Sequence, residues 1–247
     1  MIIFMKRITL FIALLLLVIA NVHAQKTYAL LAGVSNYKVD SINLHYTTKD
    51  VKQLKRVFDN QGFTSAIITS QFANHENIVK KLNAIVKLAK REDRIIFYFS
   101  GHGTPGGFVP SDRSLFNYQE LVDILSKAKA NNVFCFIDAC MSCSVRTISS
   151  NNFGVGGASP NICFMTASDA TEISIEDSWV GHGYFTKALL KGLRGMSDRN
   201  ADKVVTLNEL FNYIYNDVTN RTKNHKQVQH PQLFCPVNMK KVIMTKW

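Results

Sequence analysis

Arg94-Ile-Ile-Phe-Tyr-Phe-Ser-Gly-His-Gly103 is the stretch on which the fold turns. Ile95 to Phe99 is an unbroken apolar run, rich in β-branched and aromatic residues and too short for a core helix. It reads as a strand buried on both faces, the mark of a parallel sheet. The run passes directly into the polar turn Ser100-Gly101-His102-Gly103. A second stretch has the same grammar: Val133-Phe-Cys-Phe-Ile137 is a buried strand that delivers Asp138-Ala139-Cys140-Met141-Ser142-Cys143.

Outward from these two strands, short apolar runs alternate with amphipathic stretches in a βαβα rhythm, which predicts an α/β fold with a mostly parallel sheet covered by helices. The first strand is predicted over Thr27 to Val34 and the second over Ser65 to Thr69. Between them Val51, Leu54, Val57 and Phe58 recur at helical spacing, so a helix runs from Thr47 to Asn60 with Gly62 as its stop. Asn74 caps a second helix carrying Ile78, Leu82, Ile85 and Ala89. A third helix is expected over Asn117 to Ala130, a fifth strand over Ile162 to Thr166, and helices over Tyr184 to Leu193 and Thr206 to Thr222. Gln232 to Cys235 and Lys241 to Met244 are candidate edge strands. Right-handed crossovers place the C-terminal ends of all parallel strands on one edge, where such folds hold their ligands.

His102 lies three residues past the third strand and Cys140 three past the fourth. If these strands are neighbours, their ends lie ~4.8 Å apart and a thiol meets an imidazole. A cysteine is a poor nucleophile at its free pKa, and a histidine that takes its proton supplies what attack on a carbonyl requires. The backbone N–H groups of Gly103 and Cys140 are candidates for an oxyanion hole.

Tyr-Phe-Ser-Gly-His-Gly (98 to 103) and Ile-Asp-Ala-Cys-Met-Ser (137 to 142), in this order and spacing, resemble the caspase/metacaspase cysteine peptidases, in particular the bacterial, metacaspase-like branch. The resemblance covers residues 25–247, with Tyr28 to Gly33, Gly181 to Thr186 and Gln229-His-Pro231 matching further family segments. It implies a caspase-like three-layer sandwich with a central sheet of about six strands, and a peptide hydrolase with His102 as catalytic histidine and Cys140 as nucleophile. Met141 and Cys143 stand where metacaspases carry histidine and glycine, so the loop after the cysteine departs from the pattern. Asp50, Ser100 and Asp138 match positions of the family's primary specificity pocket. Two carboxylates there would bind a guanidinium or ammonium group, implying cleavage after Arg or Lys in protein or peptide substrates. Thr47-x-x-Asp50 also reads as a capping box, and Asp138 as a strand-end turn residue.

Other signals point elsewhere. Cys140-x-x-Cys143 is the spacing of an exported thiol-disulfide oxidoreductase, the rival enzyme class, and a caspase-fold protein that binds without cleaving is the rival of another kind. Five cysteines leave at least one unpaired; Cys135 and Cys163 read as buried thiols. Asp198, Asn200, Asp202 and Glu209 take oxygen-ligand positions of a calcium loop, yet Lys203 stands where that loop wants glycine, and Thr206-x-x-Glu209 reads equally as a capping box. No metal or other cofactor is otherwise implied, calcium being the one candidate. His182, in a second Gly-His-Gly, reads as structural, and Trp179 as a residue bordering the cleft. The polar loop Ser144 to Pro160 holds a single basic residue, Arg146, a bond at which an enzyme cutting after basic residues could process itself.

Lys6 and Arg7 precede the apolar run Ile8 to Ala20, and Val22-His-Ala24 suits cleavage before Gln25, so residues 1–24 read as a signal peptide and the remainder as an exported domain, periplasmic or secreted. An uncleaved anchor is the alternative, and the only membrane contact expected. Beyond it stand 27 basic and 18 acidic residues, a net charge of +9. The basic residues scatter over helix faces without aromatic interleaving, which speaks against nucleic-acid binding. With 47% hydrophobic and 19% charged residues and a mean hydropathy of zero, a polytopic membrane protein and a disordered chain are excluded. The chain also lacks His-Glu-x-x-His, Gly-x-Ser-x-Gly and P-loop motifs, which removes the metalloprotease, serine-hydrolase and NTPase readings.

Overall fold

Alternate residues of a buried strand face opposite ways, so strands that are apolar throughout need helices on both sides. The structure, a computed structural model, meets that need in the three layers expected. It describes residues 24–140, 160–169, 172, 176–177 and 182–247. The elements in chain order are β1 (Thr27–Gly33), α1 (Thr47–Asn60), β2 (Thr64–Thr69), α2 (His75–Leu88), β3 (Arg94–Ser100), α3 (Tyr118–Leu125), β4 (Asn132–Asp138), β5 (Asn161–Thr166), α4 (Tyr184–Lys191), α5 (Leu207–Thr222) and β6 (Gln232–Phe234). The six strands form one sheet in the order β6-β5-β4-β3-β1-β2, in which only the edge strand β6 is antiparallel. The fold is therefore caspase-like, as the resemblance implied.

On one face Ile95, Phe97 and Phe99 of β3, with Cys135 and Ile137 of β4, pack under α2 and α3. On the other, Ile96, Tyr98, Phe134 and Phe136 pack under α1, α4 and α5 through Val51, Leu54, Phe185, Leu189, Leu210 and Ile214. Burying such side chains stabilises the sandwich by roughly 1.5–3 kcal/mol each. The helix starts follow from their caps. Asn74 accepts the Asn77 N–H at 2.9 Å and Asn117 the Gln119 N–H at 2.8 Å. Helix α1 ends where the chain turns at Gly62, whose φ is 72°.

Two elements differ from the sequence reading. The third helix stops at Leu125 and not at Ala130, because Ser126 folds its hydroxyl back onto the Val122 carbonyl at 2.6 Å and competes with the next helical turn. The C-terminal strand is Ile243–Lys246, and it pairs antiparallel with Val204–Thr206 in a separate two-stranded ribbon instead of joining the main sheet.

Strand register sets the site. Ser100 stands opposite Asp138 in the parallel pairing of β3 with β4, and Gly33 opposite Ser100 in that of β1 with β3. The C-terminal ends of β1, β3 and β4 are thus level, and the chain segments leaving them share one edge.

Candidate active site

Leaving β3, the chain is tied to the end of β4 by the Gly101 N–H, which donates to the Asp138 carbonyl at 3.2 Å. His102 follows. Gly103 then passes so close to Cys140 that a Cβ there would come within 2.1 Å of the Cys140 carbonyl oxygen and 3.0 Å of the Ala139 Cβ. A side chain would push the histidine turn off the cysteine, and glycine removes that obstacle. His102 and Cys140, both partly exposed, follow the ends of neighbouring strands.

The imidazole is held from three directions. Its Nε2–H donates to the Ile42 carbonyl at 2.6 Å, which leaves Nδ1 with the lone pair. The Tyr37 ring lies 4.7 Å from it, centroid to centroid, tilted by 41°. The Tyr37 hydroxyl accepts the His102 backbone N–H at 2.7 Å and donates to the Val109 carbonyl at 3.1 Å. Tyr37 is fully buried. The sequence reading missed both residues. Ile42 acts through a backbone atom in the 3-10 turn Asp40–Ile42, which leaves no trace in residue type, whereas a lone tyrosine in the polar segment Ser35-Asn-Tyr-Lys38 was a signal available to read.

The acidic candidates also converge, beneath the α1 and α4 face of the sheet. Asp50 is 1% and Asp138 6% exposed. A chain of hydrogen bonds links the second carboxylate to Ser100. The Ser100 hydroxyl bonds the Tyr98 phenol, Tyr98 bonds Thr186 Oγ1 at 2.6 Å, and Thr186 donates to Asp138 Oδ2 at 2.6 Å. Asp50 receives the ring Nδ1–H of His182 and, at 3.4 Å, the backbone N–H of Gly183. Gly183 also abuts the other acid, for a Cβ on it would stand 2.7 Å from Asp138 Oδ2. Burial, helped by the neighbouring Asp138 charge, pushes the Asp50 carboxyl up from 3.8 to about 6 against the pull of the His182 hydrogen bond. Burial and the same two carboxylates drive the Tyr98 phenol well above its ordinary range.

Asp50 does not serve the capping box that Thr47-x-x-Asp50 permits. The helix is capped at Tyr46 without a side-chain bond, and the Thr47 hydroxyl has no partner. The C-terminal box is formed, with Thr206 Oγ1 accepting the Glu209 N–H at 3.3 Å and Glu209 accepting the Thr206 N–H at 3.0 Å. Glu209 of the candidate calcium loop is thereby engaged in starting α5. Asp198 and Asp202 accept the backbone N–H groups of Lys203 and Val204 at 2.9 and 3.0 Å, and Asn200 bonds Asp202 at 2.9 Å. Lys203 makes the sharp turn at φ 67°. Among the described residues no group of three or more His, Cys, Asp or Glu is placed to hold a metal ion. Residues 1–23 of the expected signal segment, Cys143, Arg146 and the loop 144–159, Trp179 and Gly181 lie outside the described residues.

The structure is thus a mostly parallel sandwich with a histidine and a cysteine just past the ends of adjacent strands. The chain belongs to the caspase domain family, whose model matches residues 26–243. Among solved structures it is similar to a protein of Geobacter sulfurreducens, with a TM-score of 0.64 at 15% identity over 88% of this chain and 97% of that one. It is also similar to caspase-1 of Spodoptera frugiperda, with a TM-score of 0.67 at 15% identity over 86% of this chain and 89% of that one. Comparison with curated proteins found no match. The structural likeness shows the fold, and membership of the family supports a cysteine-protease-like function acting on protein substrates.

Proposed function

We propose that the protein is an exported cysteine endopeptidase that cleaves after Arg or Lys, with Cys140 as nucleophile and His102 as its base. The observation that supports this reading is the seating of Gly103, next to His102, against the Cys140 backbone carbonyl. With Nε2–H spent on Ile42, His102 Nδ1 takes the thiol proton. The thiolate adds to the scissile carbonyl, the N–H groups of Gly103 and Cys140 receive the developing oxyanion, and the same imidazole returns the proton to the departing amine. Water then hydrolyses the acyl-enzyme.

Specificity follows from the acidic cluster. Asp50 and Asp138 are two buried carboxylates with Ser100 beside them, and the ring that Asp50 meets in this structure is that of His182. A substrate guanidinium or ammonium takes the place of that internal partner as the His182-Gly183 segment yields. An acidic substrate side chain would meet repulsion and desolvation together. Self-processing after Arg146 belongs to the same reading.

Profiling the purified protein against a fluorogenic peptide library tests it. Turnover of Arg or Lys peptides, lost in Cys140→Ala and kept in Cys143→Ala, is the expected result. Cleavage confined to Asp peptides would overturn the specificity. Disulfide exchange that depends on Cys143, without peptide hydrolysis, would overturn the peptidase.

A further inference from the structure

Cys163 and Cys235 belong to neither the dyad nor the acidic cluster, and the fold brings them together. In the antiparallel pairing of β6 with β5, Phe234 stands opposite Phe164. Carried one residue on, that register sets Cys235 directly opposite Cys163. Opposed residues of an antiparallel pair have Cα atoms about 4.5–5.5 Å apart, inside the range of about 4.4–6.8 Å that a disulfide spans. The two thiols are near enough for each to shift the other's titration, Cys163 upward and Cys235 downward. Cys135, on the neighbouring strand β4, belongs to the core on the other face of the sheet, whereas Cys163 and Cys235 pack on the α5 face.

We propose that Cys163 and Cys235 are the protein's disulfide-forming pair, joined when the chain meets a disulfide oxidant such as oxidised glutathione or a thiol-oxidising protein. The chemistry divides between them. Cys235 is half-exposed and its thiol is held below the ordinary range, first by the hydrogen bond from Cys163 and also by the charge of Lys240. Cys163 is buried, and burial raises its thiol well above the ordinary range. Cys235 thiolate therefore attacks one sulfur of the oxidant, forming a mixed disulfide and releasing one thiolate. That thiolate takes the Cys163 proton, and Cys163 sulfur displaces the second. Two protein thiols become one S–S bond, and the oxidant is reduced to two thiols.

The bridge joins the weakest strand of the sheet to its core. β6 has three residues, one neighbour and an edge position. The segment just before it is tied to the chain that follows β5. There the Gln229 amide donates to the Ala167 carbonyl at 2.8 Å, the His230 N–H reaches Glu172 at 2.8 Å, and Ser168 Oγ reaches the Ala139 carbonyl at 3.4 Å. Fixing β6 therefore fixes a segment bonded to Ala167 and Glu172, on either side of the Ser168 that reaches the Ala139 carbonyl.

The purified protein, held in a buffer of oxidised glutathione or in reductant, is alkylated, digested without reduction and mapped by mass spectrometry, with thermal unfolding measured in parallel. The expected result is a Cys163–Cys235 linked peptide, lighter by two hydrogens and reversed by reductant, with a midpoint about 10 °C higher when oxidised. Cys235→Ser, at a half-exposed position that tolerates the change, should lose both the linked peptide and the midpoint difference. Alkylation of both thiols after oxidation overturns the proposal, as does a stable glutathione adduct on Cys235 with Cys163 alkylated. A midpoint difference that survives in Cys235→Ser assigns the bridge to other cysteines and overturns it equally.

Discussion

The tripeptide Gly-His-Gly occurs twice in this chain, at 101–103 and 181–183, and the two histidines have opposite surroundings. His102 is partly exposed, its Nε2 on a backbone carbonyl and a tyrosine ring beside it. His182 is buried, its Nδ1 on the carboxylate of Asp50. A neutral carbonyl orients an imidazole without demanding that it be charged, so the ring is free to take and return a proton. A buried carboxylate holds its histidine as a partner whose removal strands a charge. The first turn follows the end of β3, whereas His182-Gly183 leads into α4.

The largest effect should come from breaking the first site. Cys140→Ala and His102→Ala are each expected to lower kcat by about a thousandfold or more. Unfolding free energy should stay within about 1 kcal/mol of the parent, because neither side chain is core. Peptide hydrolysis and urea unfolding, measured on the same samples, check both halves, and substantial turnover in Cys140→Ala would remove the dyad.

Breaking the second site should invert that ratio. His182→Ala leaves Asp50 buried without its partner and is expected to cost about 3 kcal/mol of stability. His182→Asn, which offers an amide N–H where Nδ1–H stood, should recover part of the loss. Equal losses in the two variants would mean that packing and not the hydrogen bond is at stake.

His102, Asp138 and Cys140 were legible as candidates because they follow or end strands, whereas Asp50, inside α1, was reached only through the family resemblance. Continuous apolar runs such as Ile95 to Phe99 locate a parallel strand without ambiguity, and parallel strands deliver their ends to one edge. The partner of Asp50 was not legible, since His182 lies 132 residues away and its own tripeptide copies the catalytic turn. Local spacing offered a capping box at Thr47 to Asp50 that the fold does not use, and the same spacing at Thr206 to Glu209 is used. Burial separates the cases. Asp50 faces a closed polar cluster that capping would leave unpaired, whereas Glu209 sits at an open helix start. The displaced C-terminal strand has the same kind of cause: an apolar run such as Val242 to Met244 announces a strand, but its partner is chosen by the whole chain.

A pH series sharpens the comparison further. Asp50 has its folded pKa raised to about 6 from 3.8, so the folded form binds its proton more tightly than the unfolded form. Its contribution to stability is complete below about 4 and is lost as pH rises through about 6, roughly 2–3 kcal/mol in all. Asp50→Asn should lack that slope in urea unfolding between pH 4 and 7. The same titration governs the proposed pocket. The KM for an Arg peptide should fall as pH rises through about 6, as Asp50 becomes ionised, and a flat KM over that range would argue that Asp50 does not meet the substrate.

The smallest expected effect concerns Tyr37, the buried residue that distinguishes the His102 turn from its copy. Tyr37→Phe keeps the ring beside the imidazole and removes only the hydroxyl that bridges the His102 N–H to the Val109 carbonyl. Each lost hydrogen bond is worth about 1 kcal/mol, and the groups left behind are partly shielded from water. If the hydroxyl merely braces the fold, the loss appears in unfolding alone. If it positions His102, kcat falls about tenfold with KM unchanged, because the turn that aims Nδ1 loosens while the acidic cluster is untouched. The pH profile of kcat is the deciding readout. An imidazole released from the Ile42 carbonyl samples both tautomers, so the acidic limb should shift in Tyr37→Phe, and a profile that overlays the parent would assign Tyr37 to stability only.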